Sequence, residues 1–421
     1  MGRRLAGAPA RAWSRLISPW VARSIARSIA RSIAPLAALA AALLLGACAG
    51  AQQGPAPERG GLRLLGEQRL AWRQAFGDTV VGGLSGIDYD ARSGTWVMVS
   101  DDRSVFSPAR FYTATLDYGS HGFTGLRLEG VTLLRQPDGS LFPDRRQQAA
   151  RGGEVPDFES IRIDPADGSL WIGSEGGCAV RENPALLHLA RDGRTLSRFE
   201  GPAMFDLCRR AGTGTRDNLA FEGLTFARDG RSLWVSMEGP LWQDGPVPAR
   251  GQGSVTRLTQ FTRAGGVLRQ VAYPLDALPD TPAEDPSAVN GVSEILAVDD
   301  DHLLTLERAA VRQPDGRYLM SLRLYELDLR EASDIQALPA LQGAAYRPVR
   351  KRLVLDLSEL PLARLDNLEG MAWGPRVGDG CATLVLVSDD NFNPAQVTQL
   401  LAFDVLPASG LCRAGAPAAP R

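Results

Sequence analysis

Carboxylates recur along this chain as spaced pairs. Glu159 and Glu175, Glu222 and Glu238, Glu294 and Glu307, and Glu369 and Asp389 each bracket two short apolar runs joined by a polar turn. Asp101 closes a further copy, in which Ser85 stands where the first acid is expected. The two members lie sixteen residues apart in the copies starting at Ser85, Glu159 and Glu222, thirteen apart in the fourth and twenty in the fifth. Asp102 and Asp390 directly follow two of the second acids. Two antiparallel strands joined by a turn bring the chain back to the edge it left, so both acids of a pair belong at one edge whatever the turn length. Up to nine carboxylates would then share one opening. They cannot all stay ionised unless a cation neutralises them or some hold their protons to unusually high pH. Oxygens in that number suit a hard cation, and Ca²⁺ accepts roughly six to eight of them in flexible geometry. The expected Ca²⁺ ligands are therefore Asp101, Glu159, Glu175, Glu222, Glu238, Glu294, Glu307, Glu369 and Asp389. The other reading is that these acids accept hydrogen bonds from neighbouring backbone N–H groups and only hold the assembly together.

Arginines accompany the acids. Arg103 follows Asp101-Asp102 and Arg308 follows Glu307, while Arg181 and Arg216 lie in segments expected to be loops. The bidentate guanidinium suits a phosphate or carboxylate, which makes Arg103 and Arg308 candidate anion-binding residues; pairing with the adjacent acids is the alternative. Other chemistries find little support. The stretch "GGLSG" is not G-x-S-x-G, because Ile87 stands two residues after Ser85. His188 and His302 fall within strand-like runs, and His121 lies in a Tyr-Gly-Ser-His-Gly turn, so no Ser-His-Asp arrangement is evident. No Gly-rich phosphate loop and no CxxC spacing occur. If an ester is hydrolysed, metal-activated water is the plausible nucleophile, with Glu222 or Glu369 as base.

The elements that must position these residues are repeats. The phrases starting at Leu84, Phe158, Phe221, Val292 and Leu368 each continue into two further alternating runs separated by Asp-Gly or Gly turns. Four antiparallel strands per repeat make a blade of an all-β propeller. Five blades are counted; six stay open, because the insertions 136–155 and 309–347 are long enough to hide strands. The last copy lacks one strand, and the N-terminal "GLRLLGEQRLAW" can supply it, closing the ring by pairing the two chain ends and leaving no open sheet edge. Trp96, Trp171, Trp234 and Trp373 fall inside the hairpins and read as inter-blade core. Trp242 and Phe392 follow second acids and read as candidates to line a mouth.

The first 34 residues hold seven arginines and no acid, and "PLAALAAALLL" then "GAC" follow. A basic stretch, an apolar run of about 7–15 residues and small residues before a cleavage point make a secretory signal; the apolar run is too short to span a bilayer, which takes about 20 residues. "LGAC" resembles a bacterial lipobox, implying cleavage before Cys48, lipidation of that cysteine and, with Ala49 next, anchoring at the periplasmic face of the outer membrane. An ordinary signal peptide with a chance cysteine is the alternative. The expected organisation is a leader over 1–47, a Gly/Pro/Gln tether over 48–61, a propeller over 62–408 and a tail over 409–421. With the leader's arginines removed, 39 bases face 48 acids, which argues against nucleic acid as a partner. Export permits disulfides, and Cys178 with Cys208 and Cys381 with Cys412 is the natural local pairing, although four cysteines allow three connectivities.

The phrases "FESIRID…LWIGSE", "NLAFEGLTF…LWVSMEG" and "DNLEGMAWGP…LVLVSDDNF" resemble the phytase-like family, described as having esterase-like activity of phytase. The resemblance runs from about Gly82 to Val405. It implies a propeller and an ester or phosphoester hydrolase activity. Two functional readings follow: a calcium-dependent hydrolase of small phosphoesters or esters in the cell envelope, and a non-catalytic lipoprotein propeller that binds an envelope ligand or a protein at the same rim.

Overall fold

Burial along the chain follows the character of each run. Inner runs are nearly continuous in apolar residues and are covered on both faces, as in Ser232–Met237, which is buried throughout. Outer runs are more polar and less covered, as in Thr195–Glu200, where only Thr195 is buried. The computed structural model describes residues 58–208, 211–280, 288–378 and 380–413. The expected leader, Cys48 and the tether up to residue 57 lie outside those residues, as does the tail from residue 414.

The described chain is a five-bladed propeller. Blade 1 contains Leu84–Asp90, Thr95–Ser100, Arg110–Gly119 and Gly122–Leu133, from the axis outward. Blade 2 contains Phe158–Ile163, Leu170–Ser174, Ala185–Leu189 and Thr195–Glu200. Blade 3 contains Phe221–Phe226, Ser232–Met237, Ser254–Thr262 and Val267–Leu275. Blade 4 contains Val289–Ala297, His302–Arg312, Tyr318–Asp328 and Arg350–Asp356. Blade 5 contains Leu368–Arg376, Ala382–Ser388 and Gln399–Val405, and its fourth strand is Leu62–Arg69 from the other end of the chain. Leu62 lies opposite Val405 and Arg69 opposite Gln399, so the ring closes as the sequence predicts.

Neither insertion forms a sixth blade. Segment 136–155 holds one helix, Arg145–Arg151, capped by Asp144. The long connection after Asp328 lies along the outer strand of blade 3, with the Ile335 and Val349 N–H groups donating to the Gln270 and Ala272 carbonyls. Two elements flank the expected 62–408 span: Glu58–Arg59 pairs with Leu62–Arg63, and Leu411 is buried in the core of blades 4 and 5.

Five apolar clusters fill the five gaps between successive blades. Trp96, Trp171, Trp234 and Trp373 all sit in these gaps and are at most 9% exposed. Each large apolar side chain buried this way contributes roughly 1.5–3 kcal/mol. Disulfides join Cys178 to Cys208 and Cys381 to Cys412.

Candidate active site at the channel mouth

The innermost strands touch one another around the axis, and each begins with the same irregularity. In blade 1, Leu84 pairs with Ser100 and Gly86 with Val99, leaving Ser85 outside the ladder. Glu159, Ser293 and Glu369 are skipped in the same way in blades 2, 4 and 5. In blade 3 the shift falls across Glu222 and Gly223. A bulge of this kind bends the strand and re-aims the extra side chain. The residue after it meets the neighbouring blade. A Cβ on Gly223 would lie 2.5 Å from the Ile295 nitrogen, and one on Gly370 would lie 2.8 Å from the Ser85 carbonyl oxygen. Glycine there lets the inner strands close on the axis.

The second strand returns to the same rim in register. The N–H groups of Asp101, Glu175, Glu238 and Asp389 donate to the carbonyls of Gly83, Asp157, Ala220 and Asn367, at 2.8, 2.9, 2.7 and 3.0 Å. In blade 4 the matching pair is Gly291 with Arg308. The rim positions are therefore Ser85, Glu159, Glu222, Ser293 and Glu369 on the first strands, and Asp101, Glu175, Glu238, Arg308 and Asp389 on the second.

This register corrects two of the expected ligands. Glu294 follows the bulge and points down the channel instead of out of it. Its carboxylate accepts from the Leu224 and Ile295 N–H groups at 3.0 and 2.9 Å and pairs with Arg162 at 2.7 Å. Arg162 also donates to the carbonyls of Ile87, Ile161, Ile295 and Met371, reaching blades 1, 2, 4 and 5. Glu307 faces outward between blades 3 and 4. It accepts from the Tyr273 hydroxyl, Asn290 Nδ2, the Asp276 N–H and Nζ of Lys351, at 2.6, 2.7, 2.8 and 2.8 Å.

The remaining acids converge. A cavity of about 630 Å³ is lined by Asp101, Glu159, Glu175, Glu222, Glu369 and Asp389, with Arg103 and Arg308 among them. Ligand atoms of Asp157, Glu159 and Glu175 lie within 4.8 Å of one another, as do those of Glu175, Glu222 and Glu238. Asp157 and Asn367 were not singled out from the sequence. They precede the first strands of blades 2 and 5, and the signal was an acid or amide just before "FES" and "LEG". Both are 2% exposed, and Asp157 Oδ2 and Asn367 Oδ1 have no hydrogen-bond partner. Orphaned buried oxygens beside clustered carboxylates fit a cation or ordered water.

Arg308 sits among the acids, with Nη2 at 3.0 Å from Glu238 and 3.4 Å from Glu369. Arg103 pairs across the rim with Asp157 and remains half exposed. Arg181 is exposed and outside the cavity lining. Arg216 donates to the Pro240 and Gly245 carbonyls and lies over Trp242, and neither of these two lines the cavity. Phe392 does line it; no histidine is among its described lining residues.

Burial is the first cause of the proton affinities here, and mutual repulsion the second. Together they hold Asp101, Glu159, Glu175, Glu222 and Asp389 well above the ordinary carboxylate range. Burial also raises Asp157 to about 6, with Arg103 opposing it. Glu238 is raised by burial to about 7, against the pull of Arg308. Glu369 is raised by burial and drawn back by Arg308 and Asn367. Burial alone would lower Arg308, but Glu369, Glu238 and Glu222 hold its proton more firmly than usual. The mouth thus offers carboxyls able to exchange protons near neutral pH, oxygen ligands for a hard cation, and one fixed guanidinium.

Comparison with known proteins agrees with the repeat. Residues 79–392 match the phytase-like family, described as "Esterase-like activity of phytase". The chain belongs to this phytase-like family. A protein of Arthroderma benhamiae named "Uncharacterized secreted protein" is 26% identical over 148 residues, covering 29% of this chain. The match spans only 27% of that protein's own length. Among solved structures, a mannose phosphorylase from Leishmania mexicana with bound phosphate is similar at 12% identity and a TM-score of 0.34, over 76% of this chain and 81% of that one. A protein from Bacteroides uniformis described as a 6-phosphogluconolactonase is similar at 11% identity and a TM-score of 0.26, over 60% and 82% of the two chains. At such values they carry nothing about the activity of this phytase-like protein.

Proposed function

We propose that the protein hydrolyses small phosphoesters or carboxylic esters at the channel mouth in a Ca²⁺-dependent reaction, working in the cell envelope. The observation that carries this reading is the pair of carboxylate triads sharing Glu175, with Arg308 in register beside them. Asp157, Glu159, Glu175, Glu222 and Glu238 would hold the cation, with Asp101 and Asp389 completing the negative rim. Bound there, a hard cation polarises an ester oxygen and lowers the pKa of water. Glu369, flanked by Arg308 and by Asn367 at 2.9 Å, takes the proton of the attacking water. Glu222 is the second candidate for that role. The water oxygen bonds to phosphorus or carbonyl carbon, the ester bond breaks, and the leaving oxygen takes up a proton from a neutral rim carboxyl. Arg308, and Arg103 at the outer edge, hold the anionic oxygens by charge-assisted hydrogen bonds.

Residues 1–47 are proposed to direct export and Cys48 to carry the lipid, anchoring the domain at the periplasmic face of the outer membrane. The secreted relative supports the export part of this. Cys48→Ser abolishing incorporation of labelled palmitate would support the anchor.

The activity is tested with purified protein, p-nitrophenyl phosphate, p-nitrophenyl acetate and phytate, with Ca²⁺ or with chelator. Ca²⁺-dependent turnover, lost in Glu222→Gln and Glu369→Gln while circular dichroism is unchanged, is the expected result. Tight Ca²⁺ binding with no turnover on any ester would favour a binding module instead.

A further inference from the structure

Two aromatic residues stand over the acidic mouth in a way that the hydrolytic reading does not use. Phe106 and Phe392 stack with ring centroids 4.3 Å apart, although they come from loops of blades 1 and 5. Each is pinned by the aspartate that follows a rim acid. Asp102 accepts from the N–H groups of Val105, Phe106 and Ser107, at 2.7, 3.1 and 2.8 Å. Asp390 accepts from those of Gly83 and Phe392, at 3.0 and 3.1 Å. The backbone is strained to achieve this: Ser104, Asn391 and Phe392 all have left-handed φ values, of 56, 47 and 49°. The Phe392 ring lies on the bare backbone of Gly82 and Gly83, where an added Cβ would come within 2.8 Å of it. Phe106 nevertheless stays 42% exposed. The long second hairpin of blade 4 also lines the cavity, with Tyr318, 44% exposed, and Met320. The cavity thus has an acidic floor and aromatic walls. Its two lining arginines are paired with acids, and a third guanidinium, that of Arg73, lies over the Phe106 ring at 4.6 Å.

Resting on the proposed hydrolytic reading, we infer that the substrate is a monoester with one anionic group on a flat apolar body. The anion meets the cation and Arg308 on the floor, and the ring lies against Phe106 and Phe392.

The test measures binding, so it does not depend on turnover. Full-length protein with saturating Ca²⁺ is titrated calorimetrically with 1-naphthylphosphonate and with methylphosphonate, neither of which can be hydrolysed at its carbon–phosphorus bond. The naphthyl compound is expected to bind at least about tenfold more tightly, equivalent to about 1.4 kcal/mol. That preference is expected to disappear in Phe392→Ala and in Phe106→Ala, and to persist in Trp242→Ala, which alters an exposed ring outside the mouth. Equal binding of the two probes, or a preference unchanged in both phenylalanine variants, overturns the inference. Preferential binding without turnover of any ester leaves standing the mouth's preference for an anion on a flat apolar body and overturns the hydrolytic reading alone.

Discussion

The guanidinium of Arg162 and the carboxylate of Glu294 meet 2.7 Å apart inside the channel, 3% and 1% exposed, and plug it below the mouth. They come from blades 2 and 4, and Arg162 also binds carbonyls of blades 1 and 5. The pair therefore ties together strands that are not neighbours in the ring. Removing one partner leaves an uncompensated buried charge, at a cost of about 3–5 kcal/mol. Arg162→Met is expected to lower the free energy of urea unfolding by that amount. The double variant Arg162→Met/Glu294→Met is expected to recover most of it. A single variant as stable as the parent would contradict a structural role for the plug.

Glu175 directly follows the second strand of blade 2 and Glu307 lies in the middle of the second strand of blade 4, and their fates differ. Glu175 belongs to both triads, whereas Glu307 is saturated by protein donors between blades 3 and 4. Ligand charge tunes calcium affinity. Glu175→Gln is expected to weaken Ca²⁺ binding at least about tenfold, by about 1.4 kcal/mol. Glu307→Gln is expected to leave the affinity unchanged and to lower the melting temperature, because Lys351 loses its buried counter-charge. Titration calorimetry and thermal unfolding of the two variants check this.

The rim carboxyls bind protons more tightly in the folded chain than in the unfolded one, where carboxylates titrate at about 4. Stability from them is fully present below that ordinary value and is lost as pH rises through the folded values, about 6 for Asp157 and about 7 for Glu238. Calcium-free protein is therefore expected to melt at progressively lower temperature from about pH 5 to pH 8. Added Ca²⁺ is expected to reverse the loss, by about 2.7 kcal/mol at one hundred times its Kd, and to do less at pH 5, where protons compete for the ligands. Differential scanning calorimetry across that range, with and without chelator, reads both effects.

Both disulfides close loops of about thirty residues. Cys381–Cys412 fastens the last described turn to the core of blades 4 and 5, while Cys178–Cys208 joins two connections on blade 2. Serine at both members of either pair is expected to cost about 2–4 kcal/mol of stability. Urea unfolding of the two double variants, compared with the parent, measures it.

Much of the architecture was legible in the linear chain. The repeat, the alternating strands, the inter-blade tryptophans, the missing fourth strand and the local cysteine pairs are all carried by residue type and spacing, which can be read along the chain without knowing its contacts. Only the tertiary structure decided which acids share the mouth. In blade 4 the motif reads Val-Ser-Glu, and aligning it on its glutamate shifts both strands by one residue. Because side chains alternate across a strand, that single step sends Glu294 into the channel and Glu307 toward blade 3, and brings Arg308 to the rim in their place. The bulge that sets this register is stabilised by contact between inner strands of different blades, which no local pattern records. Asp157 and Asn367 reach the mouth from positions before their strands, and Phe106 meets Phe392 only because the ring closes and brings the first and last blades side by side.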